Sequence, residues 1–345
     1  MAGPPAAPAS TSARSEPGVG GLRGARPARP WVARVRVPRR GGSRAARRRF
    51  RSARPWTLLA PALVVLAGLL LYPLVRVAVI STQDFSGLRA VARGTAEFIG
   101  LDNYREVLTD RQLWHTVLPN TVVVALVAVV LTVVVGTLAA LLLESVGPRM
   151  RAATTVAILS AWAVPAVTGT YIWIWIFDPV EGLVSSAAQW LGLVPPGGEN
   201  WFTDRVTFFT IVVLNVVHHG FPFVALTVLA GLLTVPAEMI EAAKLDGAGA
   251  WRRFWSITVP ILRPVFAVVT ILSTIWDFKV FTQVYLMPGG DGQNREVLNL
   301  GTWSYVESFG QTEYGTGSAI AVVLTATLLL ITGVYLRTMF REGEL

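Results

Sequence analysis

From Thr121 to Leu143 the chain passes through 23 residues without a charged side chain. About 20 apolar residues of helix cross the hydrocarbon of a bilayer. A buried helix of a soluble protein is rarely so long or so free of polar faces, so this run calls for a membrane. It lies in one of six apolar segments: Trp56–Ile80, Thr116–Leu143, Ala152–Phe177, Val206–Leu233, Pro264–Met287 and Gly317–Leu336. Each is long enough to span, which predicts an all-α polytopic membrane protein with six transmembrane helices. Composition agrees: 53% of residues are hydrophobic and 15% charged, where a soluble domain carries about 25% charged residues. Pro61, Pro73, Pro119, Pro165, Pro222 and Pro264 fall within five of the segments. Spanning helices tolerate such prolines, often as kinks packed against neighbours.

Residues 1–55 are a different kind of chain, rich in Pro, Ala, Gly and Ser, with 14 arginines against one acid, Glu16. Without apolar periodicity they cannot offset their ordering entropy, so they read as a disordered, Arg-rich cytoplasmic tail. The run Arg47-Arg48-Arg49-Phe50-Arg51 is dense positive charge of the kind that meets membrane lipid; the tail is expected mainly as a solvated segment that fixes topology, with no nucleic-acid partner. Residues 56–345 are then the membrane domain. Basic residues favour the cytoplasmic side of a span. With both termini cytoplasmic, 22 fall inside and six outside; without the tail the balance is eight to six. The chain has no cysteine, which excludes disulfides and thiolate metal sites. No metal, cofactor or catalytic residue is expected.

The longest loop on the cytoplasmic side, 234–263, holds Glu241-Ala-Ala-Lys-Leu-Asp-Gly-Ala-Gly-Ala-Trp-Arg-Arg-Phe-Trp-Ser-Ile-Thr-Val-Pro260. Thr234 and Pro236 can start a helix, with Glu238 in its first turn complementing the dipole. Ala242 and Ala243 keep one face small. Gly247 suits the left-handed position that ends a helix. A second short helix, about Ala250–Thr258, presents Trp251, Phe254, Trp255 and Ile257 before Pro260 stops it. Large apolar groups beside a small-residue surface, outside the membrane, form a docking site.

This loop resembles the EAA signature of membrane subunits of binding-protein-dependent ABC importers, in Glu241-Ala242-Ala243, the glycine six positions on, Ile257 and Pro260. The resemblance implies the type I ABC importer permease fold, with the loop docking on an ATPase through Glu241, Ala242, Ala243, Asp246, Gly247, Ile257 and Pro260. Ala60-Pro61-Ala62, Tyr72-Pro73-Leu74, Phe98-Ile-Gly-Leu-Asp-Asn-Tyr104, Asn120-Thr121, Ala163-Val-Pro165, Ile275-Trp-Asp-Phe-Lys-Val-Phe281 and Pro288-Gly-Gly290 are similar to carbohydrate permeases of the maltose, lactose and glycerol-phosphate type. The match runs from about 56 to 340. It implies a bacterial plasma-membrane subunit that imports a sugar or oligosaccharide beside a second homologous permease subunit, an ATP-binding cassette ATPase dimer and an extracytoplasmic sugar-binding protein. It also marks a substrate path: Trp162 and Ala166 on the third span, Gly220 and Phe223 on the fourth, Trp276 and Asp277 on the fifth.

Neither lysine follows a glycine, Lys244 standing after Ala243 and Lys279 after Phe278, so no Gly-Lys-Ser/Thr phosphate loop exists and ATP hydrolysis falls to another polypeptide. An ionised carboxylate in hydrocarbon costs several kcal/mol, so Asp277 faces a cavity or a partner. His218 and His219, side by side next to Gly220, read as polar helix contacts. The alternatives are an ABC permease for a non-sugar solute, an ion-driven secondary transporter, which leaves the docking loop unexplained, and a membrane enzyme, for which no His-Glu-x-x-His or nucleophile motif is present.

Overall fold

The computed structural model describes residues 57–87, 94, 96–195 and 199–342; the tail 1–55 lies outside them. Contacts divide the chain after Pro61, and the fold below is that of Ala62–Leu345 together with the helix leading into it. Helix α1 spans Thr57–Ile80. A two-residue antiparallel pair follows, β1 (Gln83–Asp84) with β2 (Glu97–Phe98), in register Gln83↔Phe98. Then come α2 (Asp102–Thr109), α3 (Leu113–Ser145), α4 (Pro148–Trp162), α5 (Ala166–Ile176), α6 (Leu183–Trp190) and α7 (Arg205–Leu232). The 234–263 loop carries α8 (Ala237–Leu245) and α9 (250–261). The rest is α10 (Arg263–Phe278), α11 (Thr282–Leu286), α12 (300–310) and α13 (Tyr314–Glu342).

Among the described residues five helices are long and apolar enough to cross a membrane, and the count reaches six if the pair α4–α5, bent by 90°, is one broken span and not a re-entrant loop. Packing centres on α3 against α7. On α3 the buried residues Ala125, Ala128, Thr132, Gly136 and Ala140 recur every three or four positions, one face of a helix. Apolar lipid gives helices no hydrophobic reason to associate, so small residues that let backbones approach closely take over. A Cβ on Gly136 would stand 2.6 Å from Val224 Cβ, and one on Gly220 would stand 3.1 Å from Thr132 Cγ2. Val123, Leu126, Val130 and Leu138 on the other face of α3 stay exposed.

Two prolines behave differently. The third segment is expected as one span, yet it breaks at Pro165 and turns by 90°. Ala163 closes α4, and Pro165, with ψ 138°, becomes the N-cap of α5. Proline disfavours helical backbone in the residue before it. Pro222, by contrast, sits buried inside an unbroken α7, bracketed by the Gly220–Thr132 and Gly136–Val224 contacts that hold the helix to α3. The fifth segment also differs from expectation: its helix ends at Phe278 and resumes at Thr282.

The loop differs from its expected boundaries at both ends. Thr234 does not start α8; its hydroxyl donates to Gly231 O at 2.7 Å, closing α7, and Pro236 is the N-cap. Pro260 does not stop α9. Helical backbone continues through Val259–Ile261, and beyond the proline the Leu262 N–H still donates to Thr258 O at 2.9 Å. The helix ends instead at Leu262, which is fully buried. A Cβ on Gly231 would meet Leu262 Cδ2 at 2.5 Å. Leu262 is thus the joint between the loop and α10, seated against the end of α7.

Candidate coupling surface and substrate path

Helix α8 ends in a complete Schellman closure. Gly247 has φ +77°; its N–H donates to Lys244 O at 3.0 Å, and the Ala248 N–H donates to Ala243 O at 2.9 Å. Only glycine adopts that backbone without a Cβ penalty, and the two bonds satisfy carbonyls the helix end leaves free. The Arg253 guanidinium donates to Ala248 O, tying α9 back to the same turn. The turn is therefore a fixed frame, although nothing lies within 4 Å of a Cβ built at Gly247.

On this frame Glu241, Ala242, Asp246 and Gly247 are exposed, Ala243 and Ile257 are half-buried, and Pro260 is exposed. Leu245 is 90% exposed and Trp251 76%, with the Trp251 and Trp255 rings edge to face at 5.6 Å. Leu245, which the sequence reading passes over, belongs to this exposed apolar surface; its signal is an apolar side chain on the last turn before a helix-ending glycine. Beside it, Glu144, Glu241, Lys244 and Arg253 line an open cavity of about 650 Å³ between the loop and the end of α3. An exposed apolar patch rimmed by charge is the character of an interaction surface.

The path residues form smaller groups. Phe223 and Trp276 meet edge to face at 5.0 Å across α7 and α10. Asp277 Oδ2 is buried without a hydrogen-bond partner. The helix ends just beyond it with Lys279 as C-cap, but Lys279 is exposed and does not pair with Asp277; the one ion pair among the described residues joins Arg295 and Glu307. Ala166, the first residue of α5, lines a cavity of about 130 Å³ with Asn215, His218 and His219. Gly220 faces Thr132 on α3, whose hydroxyl is also buried and unpartnered. Trp162 is exposed at the end of α4. The structure thus joins Phe223 to Trp276 and sets Ala166 beside the histidine pair.

One polar contact escapes the sequence reading. Gln283 Nε2 on α11 donates to Asn215 Oδ1 at 3.0 Å, buried on both sides. An amide three residues before His218 on an otherwise apolar helix face was the available sign. Such pairs join spanning helices where the alternative is an unsatisfied group in hydrocarbon.

Comparison with known proteins agrees with this architecture. The chain is 39% identical over 305 residues, 88% of its length and 92% of the relative's, to the diacetylchitobiose uptake system permease protein DasB of Streptomyces coelicolor. It is 34% identical over 241 residues, 70% of its length and 79% of the relative's, to the trehalose/maltose transport system permease protein MalF of Thermococcus litoralis. In fold it matches a chain of the bacterial alginate ABC transporter solved with an alginate pentasaccharide-bound periplasmic protein. The TM-score is 0.73 at 17% identity, over 87% of this chain and 98% of that one. Residues 136–341 match the family described as binding-protein-dependent transport system inner membrane component. By that match, and by its identity to permeases over most of their length, the chain belongs to the family of binding-protein-dependent transport system inner membrane components.

Proposed function

We propose that this chain is the sugar-translocating subunit of an ATP-driven importer and that its 234–263 loop transmits the motion of a separate ATPase. The observation that carries the reading is the loop: a hydrogen-bonded turn at Gly247 presenting Leu245, Trp251 and Trp255 to solvent. Apolar groups held out on a rigid frame need a partner, and a dimeric ATPase offers one cleft to each permease. The second permease subunit has its own support, since none of the apolar stretch of α1 is buried within this chain. The cargo class rests on the sugar permeases among its relatives and on the aromatic pair Phe223–Trp276 beside Asp277, which suits a sugar's C–H faces and hydroxyls. In this reading both termini are cytoplasmic, residues 1–55 are a tail, an external binding protein delivers the sugar, and the subunit itself performs no catalysis.

Two substitutions separate motor from path in reconstituted vesicles carrying the whole transporter. Gly247→Pro removes the donor to Lys244 O and forbids the positive φ. It is expected to abolish uptake while the subunit remains in the membrane at its normal level. Asp277→Asn is expected to leave stimulated ATP hydrolysis largely intact and to change uptake or sugar preference, so uptake and ATPase activity measured side by side tell the two classes apart. Normal uptake by a well-expressed Gly247→Pro variant refutes the coupling role. Reporters fused after Met150 and after Leu345 are expected on the cytoplasmic side, and one near Gly197 outside; the reverse pattern overturns the orientation.

A further inference from the structure

Trp303 and Val306 pack with Leu113 and Val117 at the start of α3, whereas Ser145 at its other end borders the 234–263 loop. A 33-residue helix is about 50 Å long, so α12 lies at the end of the molecule remote from the coupling surface. There six aromatic rings follow one another across three separate stretches of chain. Phe281 stacks on Tyr285 at 5.3 Å, Tyr285 meets Tyr305 at 5.0 Å, and Tyr305 meets Phe309 at 4.9 Å. Phe309 meets Tyr314 at 5.8 Å and Tyr314 meets Phe85 at 5.6 Å. None of the six is buried; Phe309 is 62% exposed and Tyr305 37%. Rings that serve packing look different here: Trp303 and Phe208 are covered almost completely.

The backbone beneath the row is held tightly. The Tyr314 N–H donates to Phe85 O at 3.0 Å, the Gly87 N–H to Thr312 O at 3.0 Å, and Ser86 bridges Glu313. A Cβ on Gly317 would fall 2.0 Å from Ser308 Oγ, so the start of α13 is pressed onto α12. Thr312, between Phe309 and Tyr314, has φ +62°, the one non-glycine among the described residues with positive φ. A β-branched residue there is strained, and such strain persists where surrounding structure imposes it, commonly at functional sites. Carboxylates accompany the rings. Glu307 accepts from Trp303 Nε1 at 3.0 Å, and Glu313 is drawn into partial burial near Asp84, Glu106 and Glu307, which raises its pKa. Phe281 stands five residues beyond Trp276, across the break between α10 and α11.

We propose that this row is a binding track for the pyranose rings of the transported di- or oligosaccharide, receiving it ahead of the Phe223–Trp276 pair; the proposal rests on the sugar-importer reading above. Half-exposed ring faces on a rigid support present the surface that sugar C–H groups pack against, and neighbouring carboxylates accept from hydroxyls. Aromatic residues at a membrane boundary can also anchor a protein in lipid, but anchoring needs neither a continuous ring-to-ring series nor a strained backbone under it.

The test uses the complete transporter in vesicles with its binding protein, and diacetylchitobiose, trehalose and maltose as probes. Uptake by the unmodified complex of none of the three, nor of a wider panel of mono-, di- and oligosaccharides, overturns the sugar reading, and the track with it. Given uptake, Tyr305→Leu and Phe309→Leu retain apolar bulk but lose the ring. Each is expected to lower kcat/KM for the transported sugar about two- to tenfold, the worth of one aromatic contact, with Phe309→Trp restoring it. Full kcat/KM in both leucine variants overturns the track while leaving the sugar reading intact. Because the chain has no cysteine, Phe309→Cys introduces a single thiol. A membrane-impermeant maleimide is expected to label it from outside, more slowly when the transported sugar is saturating. Failure to label without sugar places residue 309 in lipid or a protein interface, and labelling indifferent to sugar places it in water away from the transported sugar; either result refutes the proposal.

Discussion

Helices α1 and α3 are almost equally apolar, with mean hydropathy 2.5 and 2.9 over their most apolar stretches, yet 39% of that stretch is buried in α3 and none in α1. Hydropathy places both in a membrane and says nothing of what either packs against. The difference lies in how their small residues are used. Gly136 of α3 abuts Val224 so closely that no Cβ fits, whereas Gly68 of α1 has nothing within 4 Å. One helix is held along its length. The other is held over its last turns, where Tyr72–Ile80 runs beside α13, Ser81 Oγ and Tyr104 Oη share a hydrogen bond at 2.6 Å, and Asn103 Nδ2 donates to Ser81 O and Gln83 O at 3.0 and 2.9 Å.

The strongest attempt to break this contrast places one substitution in both helices. Gly136→Leu is expected to prevent stable packing of α3 on α7, at or above the upper end of the roughly 1–3 kcal/mol typical of overpacking. Gly68→Leu is expected to leave this chain's own fold intact and to weaken its association with the second permease. Thermal aggregation of the extracted subunit and native mass of the extracted complex report the two effects. Equal loss of subunit stability from both would dissolve the distinction.

A smaller effect is expected at the fastening. Asn103→Ala leaves two carbonyls without their donor, a cost of about 1–3 kcal/mol. Thermal unfolding in detergent measures it, and cross-linking between residues introduced near Ile80 and Tyr314 is expected to become less efficient. An unchanged midpoint would mean that α1 is held some other way.

The smallest effect concerns Glu313, which bridges Ser86 just beyond α1. Burial, and then Asp84, Glu106 and Glu307, push its pKa above the ordinary 4.5. The folded state therefore binds this proton more tightly than the unfolded one. Between 4.5 and the raised folded value its contribution to stability falls as pH rises, so mild acid stabilises the fold. Glu313→Gln is expected to flatten that slope and to stabilise the protein at neutral pH. A steeper slope in the variant would reverse the sign.

Much of this was legible in the sequence. The uncharged run in α3 required a membrane, and Gly247 six residues after Glu241 located the turn that the structure closes with two backbone bonds. The break at Pro165 was not legible, because Pro165 and Pro222 look alike in sequence. What separates them is the contact of α7 with α3 on both sides of Pro222, a property of the neighbour. The same holds for Thr234, whose residue type suits a cap but whose hydroxyl closes the preceding helix. Trp162, Gly220 and Phe223 are each on apolar helices as expected, yet which of them meet depends on helix rotation. Composition does not encode that.

The joint at Leu262 has a mechanical consequence. With its side chain enclosed against Gly231, it can act as a pivot with little room for slack. From there α10 runs 16 residues to Phe278, an arm of about 24 Å. A tilt of about 10° at the pivot would sweep the far end, with Trp276 and Asp277, through about 4 Å over that length. That displacement is close to the thickness of a sugar ring, so under the coupling proposed above a small angular change at the loop is amplified at the Phe223–Trp276 pair.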